Sequence, residues 1–494
     1  MAGARGRGPF LVVLFFVSAA VVTIWGTWEG TLPASEEAVI AETAREILVT
    51  GDGWTMHFDG EPVRDVSPLP LWFMASFYRL FGTNEFSARL PFVVFAVLTY
   101  FLAYLIGISS EIPVAPGSDW INRARSIGLL SAILLAASPI FGRAAPHISV
   151  SMPHAFFASL ALLGTLSFPR CRSALLIWGL GAAGAVFVAG ADGAAVVVAA
   201  VAARAAAGRG RRGGEGWFIA VGAIALALGG VWLLLNAPPA EGHFFTNRLW
   251  SALADLVRPR PGAVFGLFGR GADIWIGNLP WSIAASAAFV RIVFFRSQEK
   301  EAGSVDRELA LFTAILFFLL AFTGPGGTDR LLVILPAVSV LSARELSRWI
   351  SSRAQDALDS LWSFNQAMVS LFCLLMLLLL ATPLRLHRAE VDPIKDVAAM
   401  AKQLSSGGER IGNFRQPYRI QGARFLFYGG KPLDEPLHEP EEVGRFLERE
   451  PGGIVFSSLE DFSLLQGSRG AGLELRVLYR AGPLVLFGAK RGEE

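Results

Sequence analysis

Long apolar runs separated by short polar breaks dominate this chain. A helix that crosses a bilayer needs about 20 mainly apolar residues. Eleven stretches approach that length, at 9–28, 88–108, 125–142, 152–168, 173–189, 191–206, 217–236, 274–295, 308–323, 331–347 and 365–384. Lys and Arg favour the cytoplasmic side of such proteins. With the N-terminus inside, Arg5, Arg7, Arg125, Arg172, Arg211 and Arg353 all fall on that side. The short opposite loops at 189–192 and 323–330 carry almost no positive charge, whereas the longer one near 237–273 carries several Arg against the trend. An odd number of spans then leaves the C-terminal tail outside.

The pattern changes at 29–87, the first outer loop. Ala38–Leu48 puts Ile40, Ala44, Ile47 and Leu48 on one face and Glu42, Arg45 and Glu46 on the other. That predicts a helix lying in the membrane interface, with Ser35 as its N-cap. Pro68–Phe73 opens a second apolar piece that ends near Gly82 and is too short for a span, so a second interfacial or re-entrant helix is expected. After Leu384 the periodicity becomes that of a soluble domain. It predicts helices at Pro393–Leu404 and Glu441–Glu450, strands at Glu409–Asn413, Arg424–Tyr428 and Gly453–Ser457, and a closing hairpin of Leu473–Tyr479 with Pro483–Gly488. Roughly 110 residues suffice for a small core of this kind. The expected fold class is therefore an α-helical polytopic membrane protein with about 11 transmembrane helices and interfacial helices in its first outer loop. It divides into a transmembrane domain, 1–384, and a small extracytoplasmic α/β domain, 385–494.

Composition agrees. The 494 residues are 53% hydrophobic and 17% charged, against roughly 25% charged in soluble domains. A net charge of +2 without a basic, aromatic-interleaved run excludes a nucleic-acid partner. Cys171 and Cys373 form neither a disulfide framework nor a zinc site. The first apolar segment lacks an Ala-x-Ala cleavage pattern and reads as a retained span. No Walker loop, Ser-His-Asp order or dinucleotide fingerprint occurs.

Candidate chemistry begins with Glu36 and Glu37, just beyond the first span. Acids at a helix N-terminus gain up to about 1 kcal/mol from the dipole, which is a purely structural use. A carboxylate there can equally serve as a base for a nucleophile's proton. The surrounding words are Ala44-Arg45-Glu46, Gly51-Asp52-Gly53-Trp54, Gly60-Glu61-Pro62 and Phe86-Ser87-Ala88-Arg89-Leu90-Pro91. Together with the acidic pair they resemble the first external loop of the polyprenyl-phosphate-dependent glycosyltransferases of fold C. The resemblance is closest to the lipid A aminoarabinose transferases and more distant to the protein O-mannosyltransferases. In those families the pair reads Asp-Glu and its first carboxylate is the catalytic base, so the resemblance implies that role for Glu36, followed by Glu37.

The same resemblance locates two departures. The family Lys that contacts the lipid phosphate falls on Val66, leaving Arg64 as the nearest substitute, with Arg143, Arg248 and Arg330 near other outer faces. Each of these is equally readable as an interfacial anchor. Pro146–Phe157 resembles the start of a span bearing Asp-Met-Pro, but the Asp position is Ser151. Helical spacing would put His147, Ser151 and His154 on one face, where imidazole replaces lost chemistry or simply binds water. Gly324–Arg330 resembles the family's late loop, and a Gly-rich turn beside Arg330 can hold phosphate through backbone amides. Asp65 with His57 and His243 offers a divalent metal site, as in some relatives, although no ligand spacing demands it. No other cofactor is implied.

The resemblance implies a membrane glycosyltransferase of the bacterial inner membrane, acting in cell-envelope, lipid A or protein glycosylation. Its N-terminus would be cytoplasmic and its tail periplasmic or extracellular. The partners would be a polyprenyl-phosphate-linked sugar donor and a lipid, glycan or protein acceptor at the outer face. The alternative keeps the fold without the catalysis, as a relative that binds polyprenyl lipid or assists a partner enzyme; Ser151 and Val66 point that way. A transporter would show duplicated halves with broken helices, and no internal repeat is visible. The sugar, the acceptor and the lipid length stay open.

Overall fold

A computed structural model of the protein describes residues 7–25, 27–28, 30–33, 35–63, 67–111, 118–168, 171, 173–208, 215–235, 263–294, 300–322, 328–353, 357–381, 393–405, 411–450, 452–467 and 474–490. The first apolar stretch is helix α1 (Arg7–Ile24). The loop after it folds as α2 (Glu36–Thr50), a hairpin of β1 (Met56–Phe58) and β2 (Glu61–Val63), and α3 (Pro68–Phe81). Then come α4 (Glu85–Ser110), α5 (Ser118–Ala136), α6 (Pro139–Ala144), α7 (Ser151–Ser167), α8 (Ala174–Ala189), α9 (Ala191–Ala206) and α10 (Glu215–Leu235). They are followed by α11 (Ala263–Gly277), α12 (Trp281–Phe294), α13 (Lys300–Phe322), a 3₁₀ helix at Thr328–Ile334, α14 (Leu335–Ser351) and α15 (Ala357–Ala381).

Within the described residues each expected apolar stretch is mainly helical, but three are not single rods. The 125–142 stretch stops at Ala136 and restarts as α6 at Pro139, because the residue before a proline is driven out of helical geometry. The 274–295 stretch falls on α11 and α12, which meet at 120° across the break before Trp281. The 331–347 stretch enters as the 3₁₀ helix and turns α-helical only at Leu335, with Pro336 in the first turn. Among the described residues, α4 and the 358–378 part of α15 are long and apolar enough by themselves to cross a bilayer, while α1, α8 and α10 are shorter apolar helices.

Two compact units emerge: Met1–Trp25 with Leu90–Thr382, and Gly26–Arg89 with Pro383–Glu494. In the first, the helical unit, small residues allow close packing. A Cβ added at Gly164 would strike the backbone of Trp178, one at Gly181 the backbone of Ala161, and one at Gly193 the backbone of Ala185. These contacts bind α7 to α8 and α8 to α9 as a tight up-down-up set. The N-termini of α7 and α9 therefore share one end of the unit, and the 3₁₀ helix packs against α7.

In the second, the loop unit, the loop after α1 belongs with the tail. The tail consists of α16 (Ile394–Leu404), β3 (Ile411–Phe414), α17 (Tyr418–Gly429), β4 (Leu433–Leu437), α18 (Pro440–Arg449), β5 (Val455–Ser458), α19 (Leu459–Gly467), β6 (Leu475–Ala481) and β7 (Leu484–Ala489). Its sheet runs β4-β3-β5-β7-β6, parallel across β4-β3-β5 and antiparallel beyond. One face carries a core of Ile394, Val397, Phe425, Phe456 and Leu486. The other carries Phe414, Val455, Phe462, Val485 and Phe487.

The strand expected at Arg424–Tyr428 is instead the second half of α17, which lies against α2. Its aromatic run suggested a strand by propensity, but Ala423, Phe425 and Leu426 are buried together and Gly430, at φ 67°, closes the helix in the left-handed region. Tertiary burial overrides a propensity of this size. The pattern reading also passed over β4 and α19, and it missed the β1–β2 hairpin.

Candidate functional site

Helix α2 carries the acidic pair. The Ser35 hydroxyl accepts from the Glu37 backbone N–H at 3.3 Å, so Glu36 and Glu37 occupy the first turn beside the positive end of the dipole. The segment leading there is pinned by Arg89, which donates to the carbonyls of Thr27 at 3.1 Å and Thr31 at 3.2 Å.

The two later acids of α2 reverse the expected amphipathic sense. Glu42 and Glu46 do not face water; both are buried. Arg45 donates to Glu42 through Nε at 2.8 Å and Nη2 at 2.6 Å. Burial nevertheless dominates and pushes the Glu42 carboxyl up to about 7, the Arg45 charge offsetting only part of it. Glu46 accepts from the backbone N–H groups of Asp59 at 2.6 Å and Gly60 at 3.3 Å. Those two residues have φ of 53° and 77° and form the two-residue turn of the β1–β2 hairpin. An Asp-Gly pair is what such a turn favours, so this sequence signal was readable. The Asp59 carboxylate in turn accepts from the Tyr418 hydroxyl at 2.5 Å.

Glu36 differs from both. Its side chain is 67% exposed, and Arg419 from α17 lies 4.0 Å away at 44% exposure. A second tail contact sits at the start of α4. There the Tyr428 hydroxyl accepts from the Leu32 N–H at 2.7 Å and donates to Glu85 at 3.2 Å, and Lys395 pairs with the same carboxylate. Neither Arg419 nor Lys395 stands out in the sequence, because both join the loop only through the fold of the tail.

In the helical unit the N-terminal ends of α7, α9 and the 3₁₀ helix bring together His154, Asp192 and Arg330. Arg330 donates to Asp192 through Nε at 2.7 Å and again through Nη2, with the two side chains 24% and 20% exposed. His154 is buried, its Nε2 has no hydrogen-bond partner, and Asp192 and Arg330 are the charges that act on its imidazole. Ser151 is buried at the first position of α7. His147 lies in the preceding turn and is exposed, so it does not share a helical face with the other two as the spacing predicted. Arg143 is exposed in the last turn of α6. Asp192 was not singled out in the sequence, although a lone acid within an apolar stretch is itself a signal.

Arg64, Asp65, Val66, His243, Arg248 and the Gly324–Gly327 turn lie outside the described residues. Among the described residues no group of three or more His, Cys, Asp or Glu side chains could hold a metal ion.

No family model matches the sequence. A 168-residue stretch is 25% identical to an uncharacterized protein of Aquifex aeolicus (strain VF5), spanning 34% of this chain and 30% of that relative. Two crystal structures of ArnT from Cupriavidus metallidurans superpose over 96% of this chain and 97% of theirs. The form bound to undecaprenyl phosphate gives a TM-score of 0.65 at 15% identity, and the apo form 0.66 at 16%. The archaeal oligosaccharyltransferase AglB from Archaeoglobus fulgidus, in complex with an inhibitory peptide and a dolichol-phosphate, superposes over 91% of this chain and 69% of its own. Its TM-score is 0.52 at 12% identity. The chain therefore has the fold-C architecture of these proteins, and with its apolar helices it is an integral membrane protein.

Proposed function

We propose that the protein is a membrane glycosyltransferase that takes its sugar from a polyprenyl-phosphate carrier. The observation that carries this is the contrast along α2. Glu42 and Glu46 are committed to Arg45 and to the hairpin turn, whereas Glu36 at the helix start stays open to solvent with a guanidinium beside it. Support comes from the shared fold and from the lipid phosphates held by two proteins that have it.

In this reading Glu36 accepts the proton of an acceptor hydroxyl or amine. The freed oxygen or nitrogen bonds to the anomeric carbon, the bond from that carbon to the phosphate oxygen breaks, and the polyprenyl phosphate leaves with the electron pair. Glu37 sets the helix start, and cations such as Arg143, Arg330 and Arg64 offset the phosphate charge. The apolar stretches supply eleven crossings of a bacterial plasma membrane, with the acidic pair and the tail on the outer side and a lipid, glycan or protein as acceptor. The second reading, a polyprenyl-lipid-binding relative without transfer activity, is favoured by one observation: the residue opening α7 is a buried serine.

Glu36→Gln keeps size and removes the base. General-base catalysis contributes about 10²–10⁴-fold, so transfer from a polyprenyl-phosphate sugar should fall by that order while undecaprenyl phosphate still binds. Equal transfer rates for wild type and variant would sink the assignment of Glu36. Binding of the lipid phosphate without transfer by wild type, across a broad donor panel, would favour the second reading.

A further inference from the structure

The helical unit contains several arginines paired with acids, and they differ in how closed they are. Arg204 has no exposed side-chain surface and holds Glu215 together with the carbonyls of Thr165 and Phe168. Arg344 and Asp306 are 4% and 1% exposed. Asp192 and Arg330 instead keep a fifth to a quarter of their surface, at the opposite end of the same helices. A buried imidazole with an unpartnered nitrogen stands beside them. Water weakens the attraction of a pair left this open several-fold, so the bridge adds little to the join between α9 and the 3₁₀ helix.

We propose that Asp192 is a positioning residue: it holds the guanidinium of Arg330 at the open end of the helical unit so that a lipid phosphate monoester docks on Arg330, with the buried His154 imidazole forming the wall behind it. This rests on the polyprenyl-phosphate reading above and names the docking group for that carrier. Two hydrogen bonds to one carboxylate fix the guanidinium plane, which a flexible arginine in solvent does not achieve unaided. The buried imidazole behind the pair keeps a ring nitrogen without a hydrogen-bond partner.

The test uses the purified full-length protein and undecaprenyl phosphate in mixed micelles, reading lipid binding, donor KM against kcat, and thermal midpoint. Loss of a charge-assisted contact corresponds to roughly ten- to a hundredfold in affinity. Arg330→Ala should weaken undecaprenyl phosphate binding by that order. Asp192→Asn, which keeps the size of the side chain, should raise donor KM several-fold with little change in kcat or midpoint. The exchange D192R/R330D should keep the midpoint near wild type without restoring lipid binding. Recovery of both by the exchange would show a structural bridge and overturn the proposal, as would wild-type binding in Asp192→Asn. Should the exchange fail to fold, Asp192→Asn alone decides. If wild type itself binds no undecaprenyl phosphate, the polyprenyl reading falls and this assignment with it. Normal wild-type binding that both single variants retain removes only the docking site.

Discussion

The two ends of the helical unit are built from the same residue types and use them differently. At one end, Asp306 is shared by Arg344 at 2.6 Å, Arg291 at 2.9 Å and Arg348, and Arg344 also reaches Glu111 and the Ser110 carbonyl. The Arg204 guanidinium lies 5.1 Å from the ring of Phe168 and 5.1 Å from that of Phe218. At the other end Asp192 pairs with Arg330, and both side chains keep part of their surface exposed. The closed clusters give each buried charge an opposite partner, because a buried charge without one costs several kcal/mol. The difference teaches that a charge in an apolar helix is not by itself a functional signal; residual exposure after pairing separates the two uses. Helix α2 repeats the contrast on a small scale, with Glu42 and Glu46 closed and Glu36 open.

The largest effect that would break this comparison is on stability. Arg204→Met removes the donor to Glu215, Thr165 and Phe168 at once. Truncating one partner of a buried pair typically costs about 3–5 kcal/mol, so the thermal midpoint in detergent should drop steeply. Arg330→Met should leave it near wild type. Equal losses would mean that both ends are structural.

A smaller, pH-dependent effect is expected at Glu42. Its folded-state pKa, about 7, lies above the ordinary 4.5 of a glutamate because burial disfavours the charged form. The folded protein therefore binds more protons than the unfolded chain between those limits. The stabilisation is fully present below pH 4.5 and is lost as pH rises through 7. Glu42→Gln cannot titrate, so wild type should lose stability relative to this variant across that window. Parallel curves of midpoint against pH would show that Arg45 outweighs burial.

The smallest expected effect is at Arg419. An exposed pair contributes under about 1 kcal/mol, so Arg419→Ala should leave the midpoint unchanged. If the guanidinium serves Glu36 during transfer, the rate should fall by up to about fivefold, the equivalent of that energy. A changed midpoint with an unchanged rate would place Arg419 among the structural charges and blur the contrast along α2.

The apolar helices and the helical start at the acidic pair are legible in the residues alone. A run of apolar residues with its N-cap and first-turn acids carries that information locally, in 3.6-residue periodicity and helix-end chemistry. The β1–β2 hairpin was equally local, in Asp59-Gly60, and was there to be read. Only the tertiary structure decided which charges are spent. Glu42 and Glu46 look like a solvent face until α17 and the hairpin close over α2, and the aromatic run at Arg424–Tyr428 looks like a strand until burial makes it a helix. Asp192 and Arg330 stand 138 residues apart. Their meeting depends on glycines that let α7, α8 and α9 pack backbone to backbone, and no local pattern encodes a contact at that range.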